Sequence, residues 1–253
     1  MRTDILQSTE PSAQDSAQGA TKPQVRSVVS VRFNDGREYP YYNDTFDLQV
    51  DDIVYVDGKL AGKPGRVTEV ITRFKVSLDY YKRVLGKLDL HFHGSFQRQG
   101  DFMVADGNPL PFAQVQPWFY PPREEEEEFF IGDGYQADLR HLKDCPDLNL
   151  WDYQMGQCLL EEGKVLYLSV QDGQGCALVA SQDCHTVNFT LHGDTVADLY
   201  CDCISPHFCK HLAALCLALQ QLQPAGSNFV AMEHDLFFRV LSAQGGGHAG
   251  IEV

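Results

Sequence analysis

The sequence predicts an α+β chain: a small N-terminal β-barrel of the SH3 or OB kind, an acidic linker and a C-terminal ββα module. Three observations predict it. Apolar and polar residues alternate with period two from Val28 onward, interrupted by Gly-rich turns. Prolines and the five consecutive acids Glu124 to Glu128 then oppose any packed element. After Cys209 the apolar period changes to 3.6, the signature of a helix.

The elements follow in chain order. Residues 1–24 are rich in Gln, Ser, Thr and Ala, bury too little to offset ordering entropy, and read as a disordered lead. Residues 25–104 read as the barrel. Val29, Val31 and Phe33 make a strand, and Asn34-Asp35-Gly36 a hairpin turn in which Asn and Gly accept positive φ. Arg37 to Tyr42 returns, Ile53 to Val56 and Arg66 to Ile71 pair across a Gly-rich turn, and Phe74, Val76 and Leu78 alternate again. Five short strands in such a stretch suggest closure into a barrel. Residues 105–135 read as an acidic, Pro-rich linker, with a weak helical pattern at Leu139, Leu142 and Leu148 beyond it. In 136–243, β character returns at 165–170, 176–180, 187–191 and 196–201, with His192-Gly193-Asp194 as a hairpin turn. Leu212, Leu215, Cys216, Leu219 and Leu222 then form one helical stripe, stopped by Pro224 and Gly226. The Gly-rich residues 244–253 read as a flexible tail.

Charge excludes some functions. The 253 residues carry 35 acids and 20 bases, a formal charge of −15, which opposes coating of nucleic acid or anionic membrane by bulk charge. The excess is local: residues 101–200 hold a net −14, while residues 25–90 hold +1. No apolar stretch approaches a membrane span, and the start MRTDILQSTE lacks an apolar signal core. The expectation is a cytoplasmic protein with eight reduced cysteines and no small-molecule cofactor.

One constellation carries chemistry. Cys201 and Cys203 are followed, after five residues, by Cys209 and His211. Three thiolates and one imidazole are a structural ligand set for Zn2+, which takes four soft or borderline donors in a tetrahedron. Residues two apart on a strand share a face, so Cys201 and Cys203 reach one ion. Residues two apart on a helix diverge, so Cys209 must precede the helix and His211 must lie in its first turn. There the helix dipole favours the Cys209 thiolate. His207, inside the connecting loop, is the competing fourth ligand.

With these residues in view, the chain resembles the SWIM zinc-finger family. Cys201, Cys203, Cys209 and His211 carry the motif, and Cys209-Lys210-His211-Leu212-Ala213-Ala214-Leu215 is similar to the family's helix start. Ala177 to Ser181 and Val187 to Thr190 resemble the preceding strands, so the likeness covers about residues 163–223. It implies a zinc-bound ββα unit that binds DNA or protein alongside helicase-like ATPases and similar machines. No P-loop and no Walker-type acid pair accompanies it here. Residues 28–78, through Val50-Asp51-Asp52-Ile53-Val54-Tyr55-Val56 and Gly65-Arg66-Val67-Thr68-Glu69-Val70, also resemble the small N-terminal DNA-binding β domain of primosomal helicase.

Lys59, Lys63, Arg66, Arg73 and Lys75, with Tyr39, Tyr41 and Tyr42 nearby, are candidate nucleic-acid contacts, the lysines for phosphates and the rings for bases; Lys210 joins them beside the zinc ligands. The alternative is a solvated face with core tyrosines. His91 and His93 share a strand face but lack a third ligand. Cys184 and His185 are adjacent, hence on opposite strand faces, and form no nucleophile–base pair. Trp118-Phe119-Tyr120 beside the glutamate run reads either as a solvated linker or as an arm for a basic partner. The expected function is therefore not enzymatic. It is that of a zinc-binding SWIM-type accessory factor of a helicase-type or DNA-processing machine, or alternatively an adaptor that grips a basic protein.

Overall fold

A computed structural model describes residues 26–75, 80–122, 134–222 and 228–244. The β-branched run at the start pairs as expected. β1 (Ser27–Arg32) and β2 (Glu38–Asn43) form a hairpin whose turn places Gly36 at φ +77°. β3 (Ile53–Val56), β4 (Gly65–Ile71) and β5 (Val84–Leu88) complete an antiparallel sheet of order β2-β1-β4-β3-β5. Val29, Val31, Val54, Val56 and Val67 fill one face completely.

This sheet is not a closed barrel. Its outer strands meet only at an isolated bridge from Tyr42 to Arg83, with Tyr42 N–H donating to the Lys82 carbonyl at 2.8 Å. Beyond that bridge β5 pairs with β3, and Leu88, Leu90 and Phe92 pack against the second sheet's core. The alternation at Phe74, Val76 and Leu78 does not supply the fifth strand: Phe74 has no regular structure, and 76–79 lie outside the described residues.

The second sheet has eight strands and no parallel pair. They are β6 (Gln97–Gln99), β7 (Phe102–Asp106), β8 (Tyr135–Asp138), β9 (Val165–Gln171), β10 (Gln174–Ala180), β11 (Cys184–His192), β12 (Thr195–Cys201) and β13 (Phe229–Glu233), in the order β6-β7-β13-β9-β10-β11-β12-β8. Alternate residues serve two cores. Leu168, Val170, Ala177 and Val179 meet α2 (Leu150–Glu161) and α3 (Lys210–Gln221). Tyr167, Leu178, Val230 and Met232 meet α1 (Phe112–Phe119) and α4 (His234–Gln244). Burial on both faces explains why Val165 to Leu168 is continuously apolar.

The segment read as a linker is partly built into the fold. α1 lies within it, with Val115 and Trp118 buried. The Trp118 indole donates to the Asp89 carbonyl at 2.8 Å, pinning the end of the first sheet to the second core. Trp118, Phe119 and Tyr120 all pack against that core, so these aromatics do not project as an interaction arm. α1 follows Pro111 as its N-cap, carries Pro117 inside it and is capped by Tyr120, whose N–H donates to the Gln116 carbonyl. Pro121 and Pro122 then lie against Gly62 and Gly86, where a side chain at Gly86 would strike Pro122. The glutamates 124–128, the lead 1–24 and the tail beyond Gln244 lie outside the described residues. Among the described residues, no helix is long and apolar enough to cross a membrane.

Candidate metal centre

β11 and β12 form the expected hairpin through His192-Gly193-Asp194, with Gly193 at φ +61°. β12 ends on Cys201, and Cys203 follows in the next bend. Cys209 is the N-cap residue of α3, in extended conformation, and His211 sits in the first turn. The steric argument from the spacing therefore describes the local backbone. The connecting loop is held by Phe208, fully buried, and by Tyr135, whose ring lies 5.5 Å from that of Phe208 and whose hydroxyl donates to the Pro206 carbonyl at 2.9 Å.

These elements bring four donor atoms together. The sulfurs of Cys201, Cys203 and Cys209 and a ring nitrogen of His211 all lie within 4.8 Å of one another. His211 Nδ1 is 3.7 Å from both the Cys201 and the Cys209 sulfur. Its other nitrogen, Nε2, is 3.1 Å from the Ser181 hydroxyl. That hydroxyl spends its own proton on the Asp183 carbonyl at 3.4 Å, leaving a lone pair for an Nε2–H. An Nε2–H donated to that hydroxyl leaves Nδ1, which faces the thiols, available to a metal. His207 is exposed and takes no part in the cluster.

The electrostatics of the cluster suit a bound cation. The Cys201 thiol donates to Cys209, and His211 and the Leu212 N–H at the helix start also face it, so Cys209 is held well below the usual thiol range. Cys201, committed as that donor and buried, is pushed up, and burial also pushes up Cys203. Three packed thiols cannot all ionise alone; a divalent cation takes all three as thiolates. The cluster can thus hold a metal ion.

Sequence reasoning missed the surrounding shell. The His185 ring lies 4.3 Å from that of His211, and its Nδ1 is 2.9 Å from a carboxylate oxygen of Asp202. The other oxygen accepts from the Thr186 N–H at 3.0 Å. Ser181, in the β10–β11 turn, carries no motif that marks it; only the register of the two strands brings it to His211. Burial pushes the Cys184 thiol up to about 11, which disfavours its thiolate.

The proposed nucleic-acid residues are not one cluster. Lys59 and Lys63 stand in the β3–β4 connection, before the start of β4 at Gly65. Arg73 and Lys75 follow its end at Ile71, about 20 Å away along the strand. Arg66 pairs with Asp51 at 3.4 Å, and Lys210 lies half-buried on α3 in the other sheet's layer. Tyr41 and Tyr42 are buried, so neither offers a face for base stacking; Tyr39 is exposed. Comparison with protein-family models, characterised proteins and solved structures gives no match.

Proposed function

We propose that this chain is a non-enzymatic zinc protein of the SWIM type, acting as a nucleic-acid-associated accessory factor of a helicase-type or DNA-processing machine. The observation that carries the zinc reading is the closed donor set. A zinc tetrahedron with Zn–S near 2.3 Å and Zn–N near 2.0–2.1 Å has S···N edges of about 3.6 Å. The two sulfur–Nδ1 distances of 3.7 Å match that edge. Four protein donors leave no coordination position for a substrate, so the ion is structural. It ties the end of β12 to the start of α3 and closes the ββα unit.

The pairing of charges supports the nucleic-acid part. In the first sheet Lys82, Arg83 and Lys87 meet Asp57, Asp44 and Asp52, at 3.2, 2.6 and 2.9 Å. Lys59, Lys63, Arg73 and Lys75 are exposed and have no carboxylate partner among the described residues. A near-zero block charge thus conceals four uncompensated cations. Their separation corresponds to roughly six base pairs of duplex. Fluorescence anisotropy with labelled duplex and single-stranded DNA tests this. Four phosphate contacts give a log–log salt slope of about −3.6, a loss of roughly two decades between 50 and 200 mM salt. Lys59→Glu with Lys63→Glu is expected to abolish binding. No binding at 50 mM salt, or binding indifferent to that double substitution, would overturn the nucleic-acid reading.

A further inference from the structure

Next to the metal end of the chain lies a surface that the centre does not use. α2 runs parallel to α3: Gly156 packs against Ala213 and Ala214, while Gln157, Leu160 and Glu161 share a hollow with Leu217, Gln220 and Gln221. The two helices therefore run in the same direction. The first turn of α2 exposes two large apolar side chains, Leu150 at 72% and Trp151 at 70%. The backbone of the turn is well fixed, since Asn149 caps it by accepting from the Asp152 N–H at 2.9 Å. A rigid, capped turn holding an indole in water is the anchor type that dominates protein interfaces.

The surroundings select the partner. Residues 144–152 contain Asp144, Asp147 and Asp152 and no base. The base just before them, Lys143, is occupied over the Tyr153 ring, 5.4 Å from its centroid. Asp144 and Asp147 are exposed, so the segment leading into the apolar pair presents carboxylates to solvent. We propose that Leu150 and Trp151 anchor a cationic segment of a protein partner, one in which arginine or lysine flanks an aliphatic residue. The aliphatic side chain covers Leu150, a guanidinium stacks on the indole, and the remaining cations pair with these carboxylates. The same carboxylates repel phosphates, so this face is not a second nucleic-acid site. The proposal uses none of the zinc ligands and none of the first sheet's lysines, and it stands independently of both.

The test uses the full chain and three fluorescein-labelled probes: a synthetic amphipathic Leu/Arg peptide, its Leu/Gln counterpart and a single-stranded oligonucleotide. Anisotropy is read for the parent chain, for Leu150→Ser with Trp151→Ser, and for Asp144→Asn with Asp147→Asn. Both substituted pairs are exposed, so circular dichroism and melting should match the parent. The Leu/Arg peptide is expected to bind and the Leu/Gln peptide not to. The apolar double substitution should weaken binding about tenfold or more, and the acidic one several-fold. The proposal is overturned if the Leu/Arg peptide does not bind, if its affinity ignores Leu150 and Trp151, or if the oligonucleotide is the probe that depends on them.

Discussion

Ser181→Ala probes the metal centre without touching a ligand. When Nδ1 of His211 is committed to a metal, the ring proton must sit on Nε2, where Ser181 Oγ accepts it at 3.1 Å. His211 is only 4% exposed, so water does not readily replace that acceptor. A buried donor left unsatisfied costs about 1–3 kcal/mol. The metal-free ring can exchange its tautomer, so most of this cost falls on the metal-bound state. Losing such an outer partner lowers metal affinity about 10- to 100-fold, which at 1.4 kcal/mol per decade agrees with the hydrogen-bond figure. The assay is zinc competition against a chelator of known affinity, with cobalt absorption reporting the ligand field. Ser181→Ala should bind zinc 10- to 100-fold more weakly, and Ser181→Thr, which keeps the hydroxyl, should stay near the parent. Parental affinity in Ser181→Ala would refute the assigned tautomer.

Two further predictions concern stability. Gly156→Ala should lower the melting temperature, although helix propensity alone favours alanine by about 1 kcal/mol. An added Cβ would lie 2.6 Å from Ala213 Cβ and 2.9 Å from the Ala214 nitrogen, and overpacking of that kind costs about 1–3 kcal/mol; a raised melting temperature would contradict the close approach of α2 and α3. Asp44, bonded by Arg83 at 2.6 and 2.9 Å, has its carboxyl held below the usual range chiefly by that hydrogen bond. Its contribution, about 0.2–1 kcal/mol for so exposed a pair, is present above the ordinary carboxylate pKa and disappears as pH falls through the lowered value. An NMR titration of Asp44 with a midpoint at or above about 3.9 would contradict it.

The Cys/His cluster was legible because its constraints are local. Cys-x-Cys on a strand end and Cys-x-His at a helix start leave one workable geometry, and the stripe from Leu212 marks where α3 begins. The hairpins were legible because Gly36 and Gly193 take the positive φ their turns require. Less could be read where burial comes from both faces or from distant partners. β13 pairs with β7, more than a hundred residues before it, and with β9, and nothing in Phe229–Glu233 names those neighbours. β8 is four residues long, and among the described residues it pairs with β12 alone. The aromatic run 118–120 looked like an exposed arm because its proline-rich flanks suggest a linker, whereas Trp118 finds its partner at the Asp89 carbonyl, 29 positions back along the chain. Its side-chain chemistry was visible in the sequence, but its location was not.

In the proposed centre, a zinc ion on Cys201, Cys203, Cys209 and His211 fastens the β11–β12 hairpin to α3. The most direct measurement is elemental analysis of the purified chain, paired with thermal melting before and after chelation and with Cys203→Ser. About one zinc per chain is expected, with a sharply lowered melting temperature once the metal is removed and the same loss in Cys203→Ser. A chain that contains no metal and melts unchanged after chelation would contradict it.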